Sequence, residues 1–172
     1  SVASRGLGDV YKRQGDGGQH FRSRLVQVQN SSKTSSSSTN STSFSDTGLS
    51  RSIAMSNASN AVLVLCNGMC RVDNSGNTGY YEAEGQARIM RGSTHLRSQT
   101  IGFRNSSAGG KNLFTQFSFG FIDTPGSGTH TYKLQFGGGG GTFRIYVSDG
   151  TFYHNAGGVT PSCDITLIEF DT

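Results

Sequence analysis

The sequence has no tryptophan, only 15% charged residues, three cysteines and no long apolar run, and each shortage narrows what the chain can be. No segment approaches the roughly 18 to 20 consecutive apolar residues of a membrane-spanning helix. The first 30 residues lack the apolar centre of a signal peptide, so no membrane insertion is expected. Cys66, Cys70 and Cys163 are odd in number, which argues against a disulfide framework. If VLVLCNGMCRV is extended at about 3.3 Å per residue, the Cα atoms of Cys66 and Cys70 lie roughly 13 Å apart, beyond the limit of about 7 Å for a disulfide. Small buried residues are the expected role for all three.

Catalytic motifs are also scarce. His20, His95, His130 and His154 are scattered, with no spacing that makes a metal site readable, so no metal and no cofactor are expected. The five glycines at 137 to 141 are followed by a strand pattern rather than by the helix that a phosphate cradle needs; a flexible hairpin loop is the expectation there. Glu82 and Glu84 share one face of a predicted strand, about 6.6 Å apart by the standard rise. Glycosidase carboxylates normally frame a cleft from different strands, and this pair reads better as a solvated edge. No nucleophile elbow is present. The expectation is a protein with no catalytic residues.

What the chain does have is 25 glycines and a heavy load of Ser, Thr and Asn, a composition that disfavours helix and suits short strands joined by turns. Period-2 or continuous apolar patterns predict ten strands, at 21–29, 48–55, 60–71, 80–91, 94–104, 112–122, 130–136, 142–148, 151–154 and 163–170. Phe117, Phe119 and Phe121 share one face, as do Tyr132, Leu134 and Phe136, and Phe143, Ile145 and Val147. Two sheets packed about 10 Å apart would bury these faces. The fold class expected is all-β, an antiparallel two-sheet β-sandwich without significant helix, built as one domain over residues 21–172. Residues 31 to 47 are Ser or Thr at 13 of 17 positions, too polar to offset their ordering entropy by burial, and read as a loop or an extended edge segment.

The formal charge of +4 needs correcting before it suggests nucleic acid. Residues 1 to 14 hold three of the 15 basic residues and one of the 11 acidic ones, leaving twelve against ten, or +2. The remaining basic residues are spaced singly, as on a solvated strand face, and nucleic acid is not an expected partner.

Four stretches, TGLSRSIAMSNASNAVLVL at 47–65, IMRGSTHL at 89–96, FSFGFIDTPGSGTHTYKLQF at 117–136 and CDITLIEF at 163–170, together resemble the C-terminal jelly-roll-like head domains of tail-fibre and virion structural proteins from environmental, marine-type bacteriophages. The resemblance spans roughly residues 21 to 170. It implies a non-enzymatic domain located in the virion, a homotrimer, contacts with other virion proteins and binding to a host-surface glycan. CNGMCRV, the pentaglycine and FYHNAGG at 152–158 depart from that pattern. Separately, GLGDVYKRQ in the first 14 residues resembles translated sequencing adapter, so residues 1–20 are expected to be a non-native or disordered leader. The competing expectation for function is a monomeric carbohydrate-binding module of a secreted enzyme, against which the lack of Trp counts.

Counting strands places the binding surface. If consecutive strands run in opposite directions, the connections at 30–47, 72–79, 105–111, 137–141 and 155–162 share one end of the domain. Those at 56–59, 92–93, 123–129 and 149–150 share the other end with both termini. The first end gathers Arg71, Tyr80, Tyr81, Arg104, Lys111, Tyr153 and His154, a cationic and aromatic rim suited to sugar stacking and to acidic groups.

Overall fold

The computed structural model describes residues 24–73, 81–105, 112–140, 142–146 and 162–172. They form ten strands and no helix: β1 (Leu25–Lys33), β2 (Ser37–Thr39), β3 (Ser45–Met55), β4 (Ala61–Asp73), β5 (Tyr81–Arg91), β6 (Thr94–Asn105), β7 (Asn112–Asp123), β8 (Gly128–Gly140), β9 (Thr142–Tyr146) and β10 (Cys163–Phe170). All but β2 fall on segments that the apolar pattern predicts. The predicted leader at 1–20 and the predicted strand at 151–154 lie outside the described residues.

The strands make two antiparallel sheets, one of six strands and one of four. β4 organises the larger. Along one edge it pairs with β7 over its length, from Val62↔Asp123 to Asp73↔Asn112. Along the other it pairs in tandem with β10, over Ala61 to Asn67, and with β9, over Met69 to Asp73. β1 lies on β10 and β2 on β9. The six strands therefore act as four lines, facing the β3-β8-β5-β6 sheet. Numbered in chain order, the eight lines run 1-8-3-6 in one sheet and 2-7-4-5 in the other, the order of a jelly roll.

Inward-facing residues of both sheets fill the core. Val62, Val64, Cys66 and Cys70 of β4, Phe117 and Phe119 of β7, and Ile165 and Leu167 of β10 meet Leu49 and Ile53 of β3, Ile89 of β5 and Tyr132, Leu134 and Phe136 of β8. The expected Phe117 and Tyr132 faces are buried together, with Phe121 packed at the margin. Side chains of the third set, Phe143, Ile145 and Val147, lie outside those described. Turn chemistry agrees with the strand pattern: Gly92 takes φ 56° in the two-residue connection between Arg91 and Thr94, the left-handed geometry that primed hairpin turns require.

Two expectations are corrected. The Ser/Thr tract is not one loop, because β1 continues to Lys33, β2 occupies Ser37–Thr39 and β3 starts at Ser45; of the two expected forms it takes the extended one, along the edge of the larger sheet to Thr39 and then along the edge of the smaller one from Ser45. The pentaglycine is not a hairpin loop. Gly137, Gly138 and Gly140 pair with Gln86, Gly85 and Glu84 of β5, and Gly137 packs beside Phe44, so the chain passes from one sheet to the other around residue 141. β9 stops opposite Met69 and β10 resumes on the next stretch of the same β4 edge. The connections expected at 149–150 and 155–162 fall almost wholly outside the described residues.

Candidate functional site

Strand parity divides β4 into an inward set, Val62, Val64, Cys66, Gly68 and Cys70, and an outward set, Ala61, Leu63, Leu65, Asn67, Met69 and Arg71. The outward set changes character halfway, from wholly aliphatic before residue 66 to Asn67, Met69 and Arg71 after it, and the neighbouring strands change with it. Val28, Ile168, Leu63 and Ile122 are register partners across β1, β10, β4 and β7, one apolar row spanning the whole outer face. Leu25 and Phe170 flank it on one side, and Leu65 on the other. Every large apolar side chain that the described residues expose belongs to this sheet: Leu25 at 60%, Val26 at 39%, Val28 at 50%, Leu65 at 36% and Ile122 at 62%. Two such rows of about 6.8 Å across four strands of about 4.8 Å, with Leu65 beside them, give a patch on the order of 300 Å², the size of the largest apolar patch on a typical monomer, which is often functional. No charged side chain stands in these rows.

The outer face of the four-stranded sheet is built differently. Lys133 Nζ lies 3.0 Å from Asp46, Gln135 Nε2 donates to Asp46 at 2.6 Å, Arg88 Nε donates to Gln135 at 2.9 Å, and the Arg88 guanidinium sits 3.7 Å from the Phe44 ring centroid. That is a solvated, charged sheet surface.

Next to the apolar patch, the polar half of the first face holds a groove of ≈ 490 Å³ lined by Asn67, Gly68, Met69, Gln99, Gln116, Phe117, Ser118 and Ser162. Gly68 has a packing cause. A Cβ there would lie 2.9 Å from Cys163 Cβ and from Phe117 Cζ, and closer still to Cys163 Sγ. Gln99 reaches round from β6 and its Oε1 accepts from the Ser118 backbone N–H at 3.4 Å, which covers a donor on the free edge of β7. Among the described residues, the side-chain amides of Asn67 and Gln116 have no hydrogen-bond partner.

Of the rim residues expected from the sequence, Arg71 near the end of β4, Tyr81 at the start of β5 and Arg104 near the end of β6 share one end of the sandwich by backbone position. Tyr80, Lys111, Tyr153 and His154 lie outside the described residues. The opposite end holds Arg24 and Asp171, joined backbone to backbone at 3.1 Å.

That opposite end is braced by two carboxylates which sequence reasoning did not single out. Glu169 is fully buried. It accepts from Gln27 Nε2 at 2.5 Å, Ser56 N at 2.9 Å, Ser56 Oγ at 2.7 Å and Asn60 Nδ2 at 2.7 Å. Burial alone would raise its pKa; the four hydrogen bonds more than offset that and bring it down to about 2. Its parity with Cys163, Ile165 and Leu167 is the signal that places it inside. Asp123 accepts from Tyr132 Oη at 2.7 Å and pairs with Arg91 at 2.6 Å, tying β7 of one sheet to β8 and β5 of the other. Burial, and secondarily Asp123, raise the pKa of Tyr132.

The three cysteines are free and buried. Burial raises the thiol pKa of each, Cys70 to about 12 and Cys163 to about 11, so these sulfurs are neutral packing groups rather than nucleophiles. Among the described residues, no group of three His, Cys, Asp or Glu could hold a metal ion. No family model matches the chain and no curated protein matches it.

Proposed function

We propose that this chain is a non-enzymatic head domain of a phage virion fibre, which assembles as a homotrimer through the outer face of its six-stranded sheet and presents its loop end to a host-surface glycan. The observation that carries the reading is the uncharged apolar row Val28–Ile168–Leu63–Ile122 with its flanking residues. A sandwich that works alone gains nothing from half a sheet face of exposed aliphatic side chains, whereas identical copies can share such a face without bringing like charges together. The jelly-roll order supports the reading further, because it sets Arg71, Tyr81 and Arg104 at the end away from Arg24 and Thr172.

The patch is smaller than the roughly 800 Å² per partner of a stable interface, so assembly through it alone is concentration-dependent. Light scattering at high micromolar concentration is expected to give three times the chain mass of 18.3 kDa. The variant I122D, at a position 62% exposed, is expected to give the single-chain mass with an unchanged circular dichroism spectrum. A wild-type monomer at that concentration would instead favour a carbohydrate-binding module, the reading to which the amide-lined groove also lends support.

A further inference from the structure

We infer that the groove across Gly68 is a binding site for a short neutral oligosaccharide, an inference that rests on the reading of the domain as glycan-binding and moves the contact from the loop end to the side of the sandwich. The lining supplies the required chemistry. Asn67, Gln99 and Gln116 are carboxamides, each offering a carbonyl acceptor beside an NH₂ donor, the pattern that pairs with adjacent sugar hydroxyls. Ser118 and Ser162 add hydroxyls, and Met69 gives an apolar contact for the C–H face of a sugar ring.

The groove also selects against charge. None of its described lining residues is ionisable. The outward carboxylate of Asp164, the register partner of Asn67, is held by Ser32 and Ser162. An anionic sugar would meet that negative charge with no cation among the described lining residues to answer it. The floor is the stretch of sheet from β10 across β4 to β7, about 10 Å wide at the usual strand spacing, extended past the edge by Gln99. Phe117 is only 1% exposed, so no aromatic platform stacks the ring. Each site is therefore weak, and useful affinity comes from several copies acting together.

The test uses the full chain on an array of neutral and acidic glycans, then titrates the best neutral oligosaccharide into wild type, N67A, Q116A and the double variant. Asn67 and Gln116 are exposed, so the thermal midpoint is expected to stay put. The expected result is binding to a neutral oligosaccharide that moves the side-chain NH₂ resonances of Asn67, Gln99 and Gln116. Each single variant should weaken it roughly fivefold to tenfold, and the double variant further. Four outcomes overturn the site: no neutral glycan bound, only acidic glycans bound, neutral binding undiminished in the double variant, or an extended peptide moving those resonances where neutral sugars do not. None of these alters the light-scattering mass, so the assembly proposal stands or falls separately.

Discussion

At the scale of single residues, the buried carboxylate of Glu169 has the clearest energetic consequence. Its pKa falls from the ordinary 4.5 to about 2 on folding, so the protein gains stability from it above pH 4.5 and loses that gain as the pH drops through about 2. A shift of this size corresponds to about 3 kcal/mol at neutral pH. In E169Q the carboxamide can accept at one position only and turns an NH₂ toward donors of Gln27, Ser56 or Asn60, leaving buried groups unpaired. The expected cost is about 2 to 4 kcal/mol at pH 7, read from urea unfolding. Between pH 5 and pH 2 the wild-type midpoint should fall toward that of the variant. Parallel midpoints across this range would show that the four hydrogen bonds do not hold the charge.

At the scale of elements, the outer edge of β3 depends on one hydroxyl. The register between β3 and β8 shifts between Asp46 and Ser50, with Gly48 at φ 84°. Thr47 Oγ1 holds the irregularity by donating to Leu134 O at 2.9 Å and accepting from Leu49 N at 3.1 Å. T47V keeps the shape and removes both bonds, with an expected loss of about 1 to 3 kcal/mol; a loss below 0.5 kcal/mol would mean that the backbone groups re-pair. Legibility in the sequence follows the same physics. Strands with one buried apolar face, such as FSFGF in β7 or TYKLQF in β8, declare themselves by period 2, because burial sets their register. β2 is three residues, SST, and its pairing to β9 rests on backbone bonds that leave no apolar signature. The glycines of β8 read as a turn because glycine usually marks turns, whereas here they continue a ladder against β5. The candidate groove was invisible for a related reason: Asn67, Gln116 and Ser162 come together only through register, and no local spacing links them.

At the scale of the whole molecule, the two outer faces predict opposite responses to solvent. One carries Asp46, Lys133 and Arg88 in a hydrated polar network; the other carries the uncharged aliphatic row. If copies associate through the second face, the association is driven by removing apolar surface from water, and charge screening has little to act on. Raising sodium chloride from about 0.05 to 0.5 M, which shortens the Debye length to a few ångströms, should leave the dissociation constant within about twofold, since a change of 0.4 kcal/mol or less is all that such a factor represents. Sulfate should strengthen association and cooling should weaken it, because excluded salts favour apolar burial and the hydrophobic driving force fades at low temperature. An interface built instead from the charged face would loosen steeply with sodium chloride and show little response to cooling. Sedimentation equilibrium over a grid of salt and temperature separates the two. Strong weakening by sodium chloride, with I122D still assembling, would assign the contact to the Asp46–Lys133 face and leave the aliphatic row without a partner of its own kind.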